Sequence, residues 1–155
     1  MSPGTPEGNF RLPEVVIGFD FGMRRIGLAV GDTLTRTARP LPALARKNPE
    51  LSEVEWRAVE IEVFKAGARQ LVVGCPYNVD GSSGPMTGRA KAFAKALGDR
   101  LKLPVHLVDE RYSSLEAEAA LRDRRSTRDR KRYDRGAIDS AAATVVLERW
   151  LAGER

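Results

Sequence analysis

The chain has 155 residues, 42% of them hydrophobic, enough for one domain with a real core and too few for two ordinary ones. No run approaches the length of about 18 apolar residues that a membrane span needs, and the first 13 residues lack the basic start and apolar stretch of a signal peptide, so the expected location is cytoplasmic. The formal net charge of +5 is small, yet it is concentrated: Arg122 to Arg135 carries eight basic and three acidic residues, and the remainder is neutral with 18 of each.

Residues 1–13, rich in Pro and Gly, are expected to form a disordered tail, followed by a single domain over residues 14–155. Val15–Asp20 and Ile26–Gly31 are apolar runs joined by a turn holding Gly22, which predicts a hairpin. A third strand is expected near Ala38–Ala45, where Pro40 and Pro42 confine it to an edge. Ser52 and Glu55 have capping-box spacing, and Trp56, Val59, Val63 and Ala66 recur at helical intervals until Gly67. Leu71–Gly74 and Val105–Glu110 flank a helix carrying Met86, Ala90, Phe93 and Leu97, a βαβ unit with a parallel pair. A short helix is expected from Ser113, then the basic segment as a solvated loop, then a largely buried helix from Gly136 to about Leu151. This order predicts an α/β fold, a mixed β-sheet flanked by helices on both faces.

Nucleophilic hydrolysis by serine or cysteine is disfavoured, since the only histidine, His106, lies within a predicted strand where packing is its expected role. A lone Cys75 excludes an internal disulfide and a cysteine-based zinc site. Acids remain. Asp20 and Glu110 each close an apolar strand, and Asp139 enters the first turn of the apolar last helix. Burying one ionised carboxylate costs several kcal/mol, and a divalent cation bound by oxygen is the partner that serves several together. Singly, each acid has an ordinary explanation: turn amides for Asp20, Arg111 or Arg24 for Glu110, the helix dipole for Asp139. Jointly they point to metal. Strand alternation sends Asp109 and Glu110 to opposite faces, so Glu110 is the expected ligand and Asp109 a supporting residue.

The segments GFDFGMRRIGLAVGD, VVGCPYNVDGSSGP, VDERYSS and IDSAAA resemble, in order, the four sequence blocks of the YqgF/RuvX family, described as Holliday junction resolvase-like or pre-16S rRNA nucleases. The resemblance spans Gly18 to Ala143. It implies an RNase H-like fold and carries the family's acidic residues onto Asp20, Glu110 and Asp139. Gly31 and Cys75 depart from the usual Ser and Leu of those blocks, and neither departure falls on an acidic position. The implied activity is an endonuclease dependent on two Mg²⁺ or Mn²⁺ ions, Asp20 bridging them, that leaves a 5′-phosphate and a 3′-hydroxyl. The implied partner is structured RNA or branched DNA, and junction resolution would call for a homodimer. Arg24, Arg25 and Arg111 are candidates for phosphate contact, with solvation the slightly better reading of Arg25. Ser82 and Ser83, in a glycine-rich loop entering a helix, are candidates too. So are Arg124, Arg125, Arg128, Arg130, Lys131 and Arg132, with Tyr133 able to stack on a base.

Two other classes stay open at this level. DFGMRRIGLAV also resembles the phosphate loop of the actin/sugar-kinase superfamily, although those enzymes use two such domains, and ATP binding would separate the two. A non-catalytic nucleic-acid-binding module would account for the basic segment without needing the acids, and would keep its function when Asp20 is replaced by alanine.

Overall fold

The computed structural model describes residues 12–48, 50–110 and 135–153, the side chains of 135–139 excepted. The N-terminal tail up to residue 11, the helix expected from Ser113 and the basic segment before Arg135 lie outside the described residues.

The hairpin forms as predicted from β1 (Val15–Phe21) and β2 (Arg25–Asp32), with the Gly22 amide donating to Arg25 O at 2.9 Å to close the turn. Strand β3 (Ala38–Ala45) pairs antiparallel with β2 at the sheet edge, where prolines lacking an N–H remove no interior ladder bond. Helix α1 (Glu53–Ala66) starts at Ser52, whose hydroxyl accepts from Glu55 N while the Glu55 carboxylate accepts from Ser52 N. Gly67, at φ +69°, ends it in the left-handed region that favours glycine. The chain then enters β4 (Ala68–Cys75), three residues earlier than the apolar run suggests. Tertiary pairing recruits those residues: Ala68 and Gln70 pair with Val15 and Val16 of β1. Helix α2 (Thr87–Leu101) leads to β5 (Val105–Asp109), parallel to β4, and α3 (Arg135–Leu151) completes the described chain.

The sheet runs β3-β2-β1-β4-β5, with β1, β4 and β5 parallel and β2 antiparallel between β1 and β3. This is the expected mixed α/β arrangement, with helices on both faces of the sheet. Alternation on β1 divides the core. Ile17, Phe19 and Phe21 pack with Trp56, Val59 and Val63 of α1 and Phe93 and Leu97 of α2. Val16 faces the other way and joins Val72, Val108, Ala143, Val146, Leu147 and Trp150 beneath α3. Ser140 fixes α3 over the sheet by donating to Leu41 O on β3 at 2.6 Å. His106 packs, as expected, with its ring stacked on Trp150 and its Nε2 2.8 Å from Gln70 Oε1. Among the described residues no helix is long and apolar enough to cross a membrane.

Candidate active site

The three parallel strands end together. Asp20 stands opposite Gly74 and Cys75 opposite Asp109, so the carboxyl ends of β1, β4 and β5 form one rim. Asp20 shares the parity of Val16 on β1, and Glu110 that of Val108 on β5, which puts both on the α3 side of the sheet. Asp109 has the opposite parity. The Glu110 amide donates to Cys75 O at 3.1 Å, fixing the residue that follows β5.

Glu110 is 7% exposed and its Oε2 has no hydrogen-bond partner. Burial pushes its carboxyl up to about 10, the Asp20 charge and a hydrogen bond with Asp20 add to that, Arg149 opposes it and Asp109 adds a smaller push. The two acids are therefore close enough to share a proton, with one oxygen buried and unsatisfied. A hard divalent cation fits such a donor set: carboxylate oxygens from two strands, drawn together against their own repulsion. Among the described residues no group of three His, Cys, Asp or Glu side chains gathers into a metal-sized cluster. The third expected acid, Asp139, belongs to α3 immediately before the anchored Ser140, but its side chain lies outside the described ones.

Arg24 is exposed in the β1–β2 turn at the same sheet end, and Arg25 begins β2 half-buried. Ser82 and Ser83 are exposed in the loop between β4 and α2. The Ser82 amide and hydroxyl both donate to Asp80 Oδ1, at 2.9 and 2.6 Å, and Asn78 Nδ2 donates to Ser82 Oγ. Buried Thr87 donates to Pro76 O while accepting from Gly84 N, tying the ends of the loop. Local bonds thus occupy groups that the sequence offers to a phosphate. Arg111, Arg124, Arg125, Arg128, Arg130, Lys131 and Arg132 lie outside the described residues.

Two arginines escape sequence reasoning. Arg149, in the last turn of α3, reads as a complement to the helix dipole, yet its charge acts on Glu110. Arg46, only 5% exposed, sits over the Phe21 ring and donates to Gly22 O and Asn48 O, both at 2.7 Å, while its amide donates to Arg24 O. It braces the turn that presents Arg24. An arginine after an edge strand ordinarily reads as solvated, so only the fold reveals this.

The family described as RuvX Holliday junction resolvase matches residues 14–153. A Xanthomonas oryzae pv. oryzae protein provisionally named a pre-16S rRNA nuclease is 43% identical over 148 residues, covering 95% of this chain and 94% of its own. A Klebsiella pneumoniae protein of the same provisional name is 39% identical over 132 residues, covering 85% and 91%. Among solved structures, Thermus thermophilus RuvC aligns over 88% of this chain and 93% of its own, at 15% identity and a TM-score of 0.49. With the match running through nearly all of the described sheet and helices, the chain belongs to the RuvX Holliday junction resolvase family.

Proposed function

We propose that this chain is a divalent-metal-dependent endonuclease in which Asp20, Glu110 and Asp139 hold the ions against a nucleic-acid phosphate. The observation that carries the reading is the buried, unpartnered Glu110 oxygen beside Asp20. Two carboxyls forced together without a cation are an unfavourable pair, and the arrangement is accounted for if they bind one. When bound, Mg²⁺ or Mn²⁺ supplies the Lewis acidity that makes water a nucleophile at neutral pH and offsets charge on the leaving oxygen. The chain's own part is positioning. Asp20 and Glu110 give up their shared proton and present oxygens from the ends of β1 and β5, on either side of β4 in a rigid sheet. Arg24, Arg111 and the basic segment hold the phosphate backbone, and the scissile P–O3′ bond breaks to leave a 5′-phosphate and a 3′-hydroxyl.

For substrate, the provisional names of the Xanthomonas and Klebsiella relatives favour precursor 16S rRNA, and the family description favours a four-way DNA junction. Junction resolution requires paired cuts by a homodimer. Cleavage of a precursor rRNA fragment, a junction and single-stranded DNA side by side decides between them. The reading itself is tested by stripping the protein with EDTA and restoring Mg²⁺ or Mn²⁺, together with Asp20→Asn. Cleavage should disappear in chelator and return with metal, and the variant should bind nucleic acid without cutting it. Full activity in EDTA, or normal cutting by the variant, would falsify it.

A further inference from the structure

We propose that Gly74 is a positioning residue for this site: its missing side chain leaves the space into which the Glu110 carboxylate folds back beside Asp20. The inference rests on the metal reading above and adds to it a residue with no chemistry of its own. Gly74 lies on the interior strand β4, paired with Asp20 on one side and Val108 on the other. Glycine is a poor choice inside a strand, where it loses side-chain packing and costs backbone entropy. A Cβ built at this position would stand 2.6 Å from Glu110 Oε2 and 2.8 Å from its Cδ. Real Cβ contacts do not come that close, so the carboxylate would have to leave. It has little room to do so, since its Oε2 is buried and its amide is held by Cys75 O.

Close packing by α3 is the competing explanation, and neighbouring positions weigh against it. Val146 Cγ2 would be 3.1 Å from the added atom, an approach that a small shift of a methyl relieves. Val72, two residues earlier on the same face of β4, is fully buried with a branched side chain beneath the same helix. At Gly18 the opposite holds. There the added Cβ would meet Leu147 Cβ at 2.9 Å and Ala143 O at 3.3 Å, so helix approach alone requires that glycine. Gly18 is therefore the natural control for Gly74.

Gly74→Ala, Gly18→Ala, Glu110→Asp and the Gly74→Ala/Glu110→Asp double variant would be stripped of metal, titrated with Mn²⁺ by electron paramagnetic resonance, and unfolded thermally. Gly74→Ala should fold cooperatively and lose about tenfold or more in Mn²⁺ affinity, the scale on which supporting residues act on metal sites. Its KM for nucleic acid should stay near wild type. Gly18→Ala should lose thermal stability but keep wild-type Mn²⁺ affinity. Glu110→Asp, which draws the carboxylate back by one methylene, should cost much less in the Gly74→Ala background than alone. Should Gly74→Ala fail to fold, recovery of cooperative unfolding in the double variant supports the same clash, and its absence overturns it. Wild-type Mn²⁺ affinity in folded Gly74→Ala, losses that simply multiply in the double variant, or an equal loss in Gly18→Ala also overturns it. Asp20→Asn and Glu110→Gln keep the two levels apart. If neither changes Mn²⁺ binding, the metal reading falls and this inference with it; if both do and Gly74→Ala does not, only the inference falls.

Discussion

Replacing Glu110 with Gln separates what this residue does for the fold from what it does for the site. In chelator the Glu110 carboxyl titrates near 10, so at neutral pH it is protonated, and Gln has nearly the same shape and also offers a donor toward Asp20. Without metal at pH 7 the variant should therefore be at least as stable as wild type, because only the unfolded wild-type chain is favoured by releasing the proton. The sign of the pH dependence follows from the raised value. The folded protein keeps a proton that the unfolded chain releases near 4.5, so metal-free wild type loses stability as pH rises from that range toward about 10. The Gln variant lacks this term and should be the more stable of the two at alkaline pH. Metal acts the other way. At a hundredfold excess over its dissociation constant, bound Mn²⁺ stabilises wild type by about 2.7 kcal/mol. In a chain of this size that corresponds to a rise in Tm of about 5 to 11 °C. The variant should gain almost nothing and should not cleave. Thermal unfolding at pH 7 and pH 9, with EDTA or Mn²⁺, measures all four states. An equal metal-induced rise in both proteins would remove Glu110 from the site, and collapse of the variant in EDTA would make the residue structural.

Other expectations concern the scaffold and the substrate grip. Leu147→Ala opens a cavity beneath α3 at a fully buried position and should cost about 2 to 5 kcal/mol by chemical denaturation, with the helix that carries Asp139 the first element to lose hydrogen-exchange protection. Ser52→Ala breaks the capping box on the opposite face of the sheet from Asp20 and Glu110 and should cost about 1 kcal/mol, leaving cleavage well below the Tm unchanged. Replacing Arg124, Arg125, Arg128, Arg130, Lys131 and Arg132 with Ser or Gln should flatten the plot of log affinity against log salt by about 0.7 to 0.9 for each phosphate contact removed. An unchanged slope would reduce that segment to a solvated loop.

Local chemistry made much of this molecule legible from its residues. Proline in Ala38–Ala45 confined β3 to the edge, Ser52 and Glu55 announced the start of α1, and alternation separated Asp109 from Glu110 before any strand had a neighbour. Strand order was harder, because Leu71–Gly74 has the same apolar pattern whether it is central or peripheral; only its pairing with both Asp20 and Val108 gives Gly74 meaning. Charged residues were hardest. Arg46 and Arg149 carry no pattern that distinguishes a residue held by the fold from one in water, and Ser82 offers the same atoms to a phosphate that Asp80 takes up locally.

The parallel arrangement of β1, β4 and β5 also has a kinetic side. Antiparallel β1 and β2 can close as soon as both exist, whereas β1 must wait for β4, and β4 for β5, across long intervening segments. Such non-local pairings form slowly, and a chain emerging from its N-terminus acquires them late. Asp20 is thus synthesised early and has no Glu110 beside it until β5 has docked. Under the proposed function, a nascent or partly unravelled chain lacks the paired acids and so cannot assemble the metal site.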